Sequence, residues 1–234
     1  MLFRSDGFLD WKNENVILTS YFHSRPDPQS GVYTPKNDIS YVFPWVSSIV
    51  YGGLKGIIVH DGLSVDFINK HQNDNIKFYY HEIGNLSLND ERFIAYDQIL
   101  SKCEFNKVLM TDASDLFIKK NPFEFMVDLN ILYCGTDMES TPTIKDNQWC
   151  LAKIHQLITA NPKLFEITQE FLDFEYVNAG VLGGGYKLIK TFINGYSEFL
   201  KILDNGQNNN MMALNYLLWK YAVPHFKGVP FTSH

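Results

Sequence analysis

The chain has 234 residues, 45% hydrophobic and 15% aromatic, enough apolar material for a sizeable core. A formal net charge of -6 removes the basic footprint that nucleic-acid binding needs, and no apolar run approaches the roughly 18 residues of a membrane span. Three cysteines (Cys103, Cys134 and Cys150) with no C-x-x-C pair argue against a disulfide framework or a zinc site. They point to a reducing, cytoplasmic compartment. The start, Met1-Leu2-Phe3-Arg4, meets charge too soon to read as a signal peptide.

Residues 1–14 read as a polar leader without a period. Val16 to Phe22, β-branched and aromatic, predicts the first strand. From His23 to Asn37 the chain carries Pro26, Pro28, Gly31 and Pro35, a loop long enough to be functional. Helical spacing over Tyr41 to Leu54, with Pro44 in the first turn and Gly52-Gly53 at the end, predicts a helix. Gly56 to Asp61 reads as a buried strand, Leu63 to His71 as a short helix and Ile76 to His81 as a third strand. Asn89 is expected to cap a helix reaching about Lys102. The strand Lys107 to Thr111 follows, then a short helix from Pro122 and a strand over Asn130 to Cys134. Residues 135–150 are polar and irregular. Helical spacing resumes over Leu151 to Leu172, broken at Asn161-Pro162. After the glycine-rich stretch Tyr176 to Gly185 come amphipathic helices over Tyr186 to Leu203 and Asn209 to Tyr221, and a strand-like end over Val229 to His234. Strands alternating with helices in the first half make the fold class α/β, with right-handed βαβ crossovers.

The chemistry concentrates where the strand Lys107-Val108-Leu109-Met110-Thr111 runs into Asp112-Ala113-Ser114-Asp115. Ligands of open α/β sheets bind outside the carboxyl ends of such strands. Two carboxylates there, with no Lys or Arg until Lys119, repel each other unless a cation sits between them. A hard divalent ion with oxygen ligands suits that place and would hold a phosphorylated substrate. The plainer alternative is a pair of Asp that ends a strand and caps a turn. No G-x-x-x-x-G-K-[ST] or G-x-G-x-x-G follows a strand, so a P-loop or dinucleotide site is not expected. Arg92 lies early in a helix leading towards Asp112, placed to orient a carboxylate or a phosphate, or else to face solvent. Asn178-Ala179-Gly180 and Gly183-Gly184-Gly185 suit either close approach of a ligand or a β-bulge and turn. Tyr21 offers a ring to a base beside backbone groups near Thr19, unless both are ordinary strand residues. His225 and His234 are each a possible third metal ligand, better suited to Mn²⁺ than to Mg²⁺.

Together these stretches resemble a GT-A glycosyltransferase of the kind found in bacteria and large DNA viruses, distantly families 8 and 34. Thr111 to Asp115 resembles the D-x-D metal motif with D-x-x-D spacing, and Leu116 to Phe123 the segment after it. Tyr176 to Gly184 resembles the N-x-G segment of the sugar site, Asn210 to Asn215 the D-[QM]-x-x-x-N helix, and Phe231 to His234 the late strand with a metal-binding histidine. The resemblance implies one GT-A domain over 1–234, with a nucleotide-binding half (15–134) and a sugar- and acceptor-binding half (135–234) around a mostly parallel mixed sheet. It implies Mn²⁺ or Mg²⁺ on Asp112, Asp115 and His234, with His225 as runner-up, and a UDP-sugar as donor. Thr19, Ser20 and Tyr21 would hold the uridine, Arg92 and Ser114 would lie beside the donor, and Asn178, Gly180 and Asn210 would meet the sugar. Asp112, Asp115 and Asn178 would be the catalytic set, passing the sugar, with retention, to a glycan or other hydroxyl acceptor. Asn210 departs from the family's Asp and, as an amide, cannot be a general base. The rival readings are a sugar nucleotidyltransferase, whose basic Gly-rich loop is missing here, and a non-catalytic nucleotide-sugar-binding protein.

Overall fold

The computed structural model describes residues 7–136, 143–203, 206–222 and 226–230. The apolar runs become strands β1 (Val16–Tyr21), β2 (Gly56–His60), β3 (Ile76–Tyr80) and β4 (Lys107–Thr111), linked by helices α1 (Phe43–Tyr51), α2 (Val65–His71) and α3 (Leu88–Lys102). β1 and β2 are buried on nearly every residue, as strands covered on both faces must be. With β5 (Leu132–Thr136), β6 (Val177–Gly185) and β7 (Phe226–Pro230) they form one seven-stranded sheet in the order β3-β2-β1-β4-β6-β5-β7. Only β6 runs against the others, antiparallel to both β4 and β5. The remaining pairs are parallel.

Helices cover both faces. Val16 and Leu18 of β1 face a core built with α3, α6 (Tyr186–Ile202) and α7 (Asn210–Leu217), while Ile17 and Tyr21 face one built with α1 and α2. This alternation is the period-2 geometry of a strand serving two layers.

Several boundaries differ from expectation. Ser87, not Asn89, caps α3, its hydroxyl accepting from Asp90 N–H at 3.2 Å. The helical run after β5 divides into α4 (Gln148–Ala160) and α5 (Gln169–Leu172), parted at Asn161-Pro162, and Asn147 caps α4 by accepting from Cys150 N–H. α7 stops at Leu217 and widens into a π-helical turn over Leu218–Ala222. Residues 7–14 are not a free leader: Phe8 and Trp11 are buried, and Phe8 meets the Tyr79 ring edge-on at 5.8 Å. Two large aromatic rings outweigh the polar residues around them. The last strand falls at Phe226–Pro230, and 231–234 lie outside the described residues.

For the site, topology matters most. Parallel β1 and β4 end at one edge of the sheet, and antiparallel β6 begins there. Asp112, just past β4, therefore meets Asn178 to Gly180 at the head of β6, and its N–H donates to Gly180 O at 2.9 Å.

Candidate active site

Asp112 is held at two points, and a glycine makes room for it. Its carboxylate accepts from Arg92 Nη1, its backbone is tied to Gly180, and Gly180 leaves space where a side chain would stand. A Cβ added at Gly180 would lie 2.3 Å from Asp112 Oδ2 and 3.0 Å from Asn178 Oδ1. Glycine here lets a carboxylate approach strand backbone closely. Arg92 is buried, and its second nitrogen donates to Ala179 O at 3.1 Å. Burial opposes the guanidinium's charge, but Asp112 beside it raises the net pKa above the ordinary value. Arg92 is therefore no solvated surface charge: it locks Asp112 to β6.

Gly183 and Gly185 have a packing reason instead. A Cβ at Gly183 would come within 2.9 Å of Val108 O, and one at Gly185 within 2.5 Å of Leu129 O. Pairing of β6 with β5 also slips, between Cys134 and Gly135, so the middle of β6 stays with β4 and Asp112.

Around Asp112 opens a cavity of about 560 Å³. Ser20, Arg92, Asp112, Ser114, Asp115, Asn178, Gly180 and Asn210 all line it, so most of the expected site residues are brought together. The side chains of Thr19 and Tyr21 stand elsewhere. Thr19 is buried and donates to Thr111 O at 3.0 Å, joining β1 to the end of β4. Tyr21 is fully buried, its hydroxyl accepting from Asp38 N–H at 3.0 Å and its ring 4.9 Å from that of Tyr41. Tyr41 takes the lining position. Burial raises the Tyr41 phenol's pKa, while hydrogen bonds from Thr34 and Ser114 pull it down. His225 and His234 lie outside the described residues.

Much of the wall comes from the loop between β1 and α1, including Asp27, Gln29, Ser30, Tyr33 and Pro35. Asp27 organises its own turn, its Oδ1 accepting from Gln29 N–H, Ser30 N–H and the Ser30 hydroxyl. The proline-rich composition signals the loop, but nothing local signals which way it folds.

The floor at α7 is built by Asp90. This buried carboxylate accepts from the N–H of Asn209 at 3.1 Å and of Asn210 at 2.7 Å. Burial lifts its pKa to about 6, against the pull of those donors. A helix N-terminus favours negative charge, and here α3 supplies it to α7. Asn215, one turn on, is fully buried and clasps β6: its amide donates to Val177 O at 2.8 Å and accepts from Val177 N–H at 2.9 Å.

Two carboxylates lining one cavity are oxygen donors of the kind a hard divalent ion takes. Among the described residues no cluster of three or more His, Cys, Asp or Glu is placed to hold a metal, so Asp112 and Asp115 would need donors from elsewhere. The charge balance favours a cation. Among the described residues the cavity's charged side chains are Asp27, Asp112, Asp115 and Arg92, and Arg92 is already engaged by Asp112. An anionic ligand entering this excess of carboxylate needs a counter-charge.

A sheet with this strand order, flanked by helices and carrying its acidic pair past β4, has the GT-A fold of nucleotide-diphospho-sugar transferases. The chain is similar in structure to the galactosyltransferase LgtC, solved with donor and acceptor sugar analogues. The TM-score is 0.59 at 16% identity, over 92% of this chain and 73% of that one. It also resembles the glycosyltransferase GlyE of Streptococcus pneumoniae TIGR4, with a TM-score of 0.52 at 13% identity, over 93% of this chain and 45% of that one. No family model and no curated protein matches the sequence. Among the described residues no helix is long and apolar enough to cross a membrane.

Proposed function

We propose that this chain is a glycosyltransferase that moves a sugar from a nucleotide-diphosphate donor, a UDP-sugar, to a hydroxyl of a glycan, and that it needs Mn²⁺ or Mg²⁺ to do so. The observation that carries this reading is that Asp112 and Asp115 both line a cavity in which, among the described residues, carboxylates outnumber a single guanidinium. Asp112 and Asp115 would hold the ion, with a histidine from His225 or His234 as third protein ligand. Bound there, a divalent cation supplies Lewis-acid stabilisation of the charge that develops on the diphosphate.

The chain's own residues orient the pieces. Arg92 fixes Asp112 through a charge-assisted hydrogen bond. Tyr41 offers the base an aromatic surface, with Ser20 beside it, and Tyr21 and Thr19 support that wall from behind. Ser114 lies beside the diphosphate. Asn178, Gly180 and Asn210 face the sugar, and the Asn178 amide nitrogen is a donor suited to hydroxyls. In the transfer the acceptor oxygen bonds to the anomeric carbon as that carbon's bond to the diphosphate oxygen breaks. The acceptor proton leaves with the diphosphate. An inverting reaction needs a general base, and among the described residues the one lining carboxylate outside the metal pair, Asp27, is tied into its own turn. That supports retention. The residues divide into a nucleotide-binding half over 15–134 and a sugar- and acceptor-binding half over 135–234, and free, buried cysteines suit a cytoplasmic setting. Metal-dependent release of UDP across a panel of UDP-sugars tests the function. Release by the wild type and none after EDTA is the expected result.

A further inference from the structure

Three consecutive charged residues stand in the first turn of α3, Asp90, Glu91 and Arg92, and all three are buried. Successive side chains of a helix point about 100° apart, so the three cannot serve one neighbour. Asp90 holds α7 and Arg92 holds Asp112. Glu91 faces the connection from β3 to α3. Its Oε1 accepts from Leu86 N–H at 3.1 Å, and its Oε2 lies 3.0 Å from Nε2 of the buried His81. Gly84 leaves room for it, since a Cβ there would come within 2.6 Å of Glu91 Oε1. A buried carboxylate is tolerated only where its partners stay in place.

The loop after β1 grips the same turn by its carbonyls. Arg25 donates from Nη1 to Leu86 O at 3.0 Å and from Nη2 to Gly84 O. Immediately beyond Arg25 the loop doubles back on itself: Pro26 is bridged to Tyr33, and Asp27 N–H donates to Val32 O at 2.9 Å. Where Arg25 is fixed, so is the small hairpin that brings Tyr33 to the cavity wall. Tyr33 is 60% exposed, so packing does little to hold its ring. We propose that Arg25 and Glu91 are positioning residues of this cavity. Across the 84–86 turn they tie the hairpin to α3, the helix that also holds Asp112, and so set where Tyr33 stands against the cavity. That the ligand there is a nucleotide rests on the donor-site reading. That the tie fixes the hairpin does not.

The test has an arm without ligand and an arm with it, both on the whole chain. Without ligand, Arg25→Met should speed amide hydrogen exchange at Asp27 and Gly31, whose N–H groups bond within the hairpin, about tenfold, and leave Leu18 in β1 unchanged. Arg25→Lys, which keeps a donor, should restore part of that protection. Glu91→Gln, which keeps an acceptor for Leu86 N–H, should disturb the hairpin less than Glu91→Ala. With ligand, the probe is UDP with Mn²⁺. Arg25→Met and Tyr33→Ala should each weaken its binding about tenfold, and the double variant should bind no more weakly than Tyr33→Ala alone, because the one acts through the other. In turnover, the loss in Arg25→Met should fall on KM for the UDP-sugar, with kcat kept within about twofold. Unchanged exchange in Arg25→Met overturns the inference, as do wild-type UDP affinity in that variant and additive losses in the double variant. Faster exchange in Arg25→Met, with no UDP binding by the wild type, would sustain the tie and sink the donor-site reading instead.

Discussion

Gly180→Ala should disable the site while leaving the sheet folded. The added methyl lies 2.3 Å from Asp112 Oδ2, a contact that a carboxylate must relieve by moving about 1 Å, since carbon–oxygen contacts do not close much below van der Waals distance. Asp112 is tethered at its N–H to Gly180 O, so the side chain rather than the backbone must swing. That movement strains or breaks its bond from Arg92, a charge-assisted interaction of about 1.5–3 kcal/mol. A misplacement of about 1 Å in a catalytic group costs on the order of 10²-fold in rate. The assay pairs urea unfolding with metal-dependent UDP release, and Gly195→Ala in α6 is the control because a Cβ there meets nothing within 4 Å. Gly195→Ala should stabilise by about 0.5–1 kcal/mol and leave turnover intact. Gly180→Ala should destabilise by about 1–3 kcal/mol and lower turnover about a hundredfold. Wild-type turnover in Gly180→Ala would refute the view that the closeness of β6 to Asp112 sets the site.

Asn215→Ala removes the clasp on both backbone groups of Val177 and should cost about 2–4 kcal/mol in urea unfolding, with no change in the slope with denaturant. Asp90 carries a folded-state pKa raised to about 6, so its burial favours folding fully only below the unfolded value near 4, and that stability is lost as pH rises through 6. Asp90→Asn removes that dependence: its stability relative to wild type should climb by about 3 kcal/mol between pH 4 and 7 and then level off. A flat difference across that range would mean that Asp90 stays near its ordinary pKa. Arg92→Met should leave Asp112 untethered and raise the concentration of Mn²⁺ needed for half-maximal UDP release about tenfold, read from a metal titration.

Local chemistry made parts of this molecule readable. The runs at Val16, Gly56, Ile76 and Lys107 are short, apolar and bounded by turn residues, and each is a strand; the acidic pair lies where β4 stops. Arg92, Asn178 and Gly180 were legible as candidates because a guanidinium, an amide and a glycine each have few reasons to stand there. What could not be read was decided by contacts distant in sequence. Tyr21 and Tyr41 are both aromatic, and only the sheet's two-layer packing puts Tyr21 in the core and Tyr41 at the cavity. Phe8 and Trp11 have no period of their own: Phe8 is held by Tyr79, Phe105 and Cys103, and the Trp11 ring lies against the amines of Lys55 and Lys77. Asp90 looks like an ordinary first-turn acid of α3, yet it caps a helix that begins 120 residues later. The fold of the Asp27 turn over the site likewise depends on where β1 delivers it.

The most direct test of the central claim is UDP binding by calorimetry with and without Mn²⁺, in the wild type and in Asp115→Ala. Asp115 is exposed, so its removal should shift stability by less than about 0.5 kcal/mol. The account predicts tight UDP binding only for the wild type with Mn²⁺, weakened about a hundredfold by EDTA or by Asp115→Ala, with the melting temperature of the free protein unchanged. Equal UDP affinity in all four conditions would contradict it.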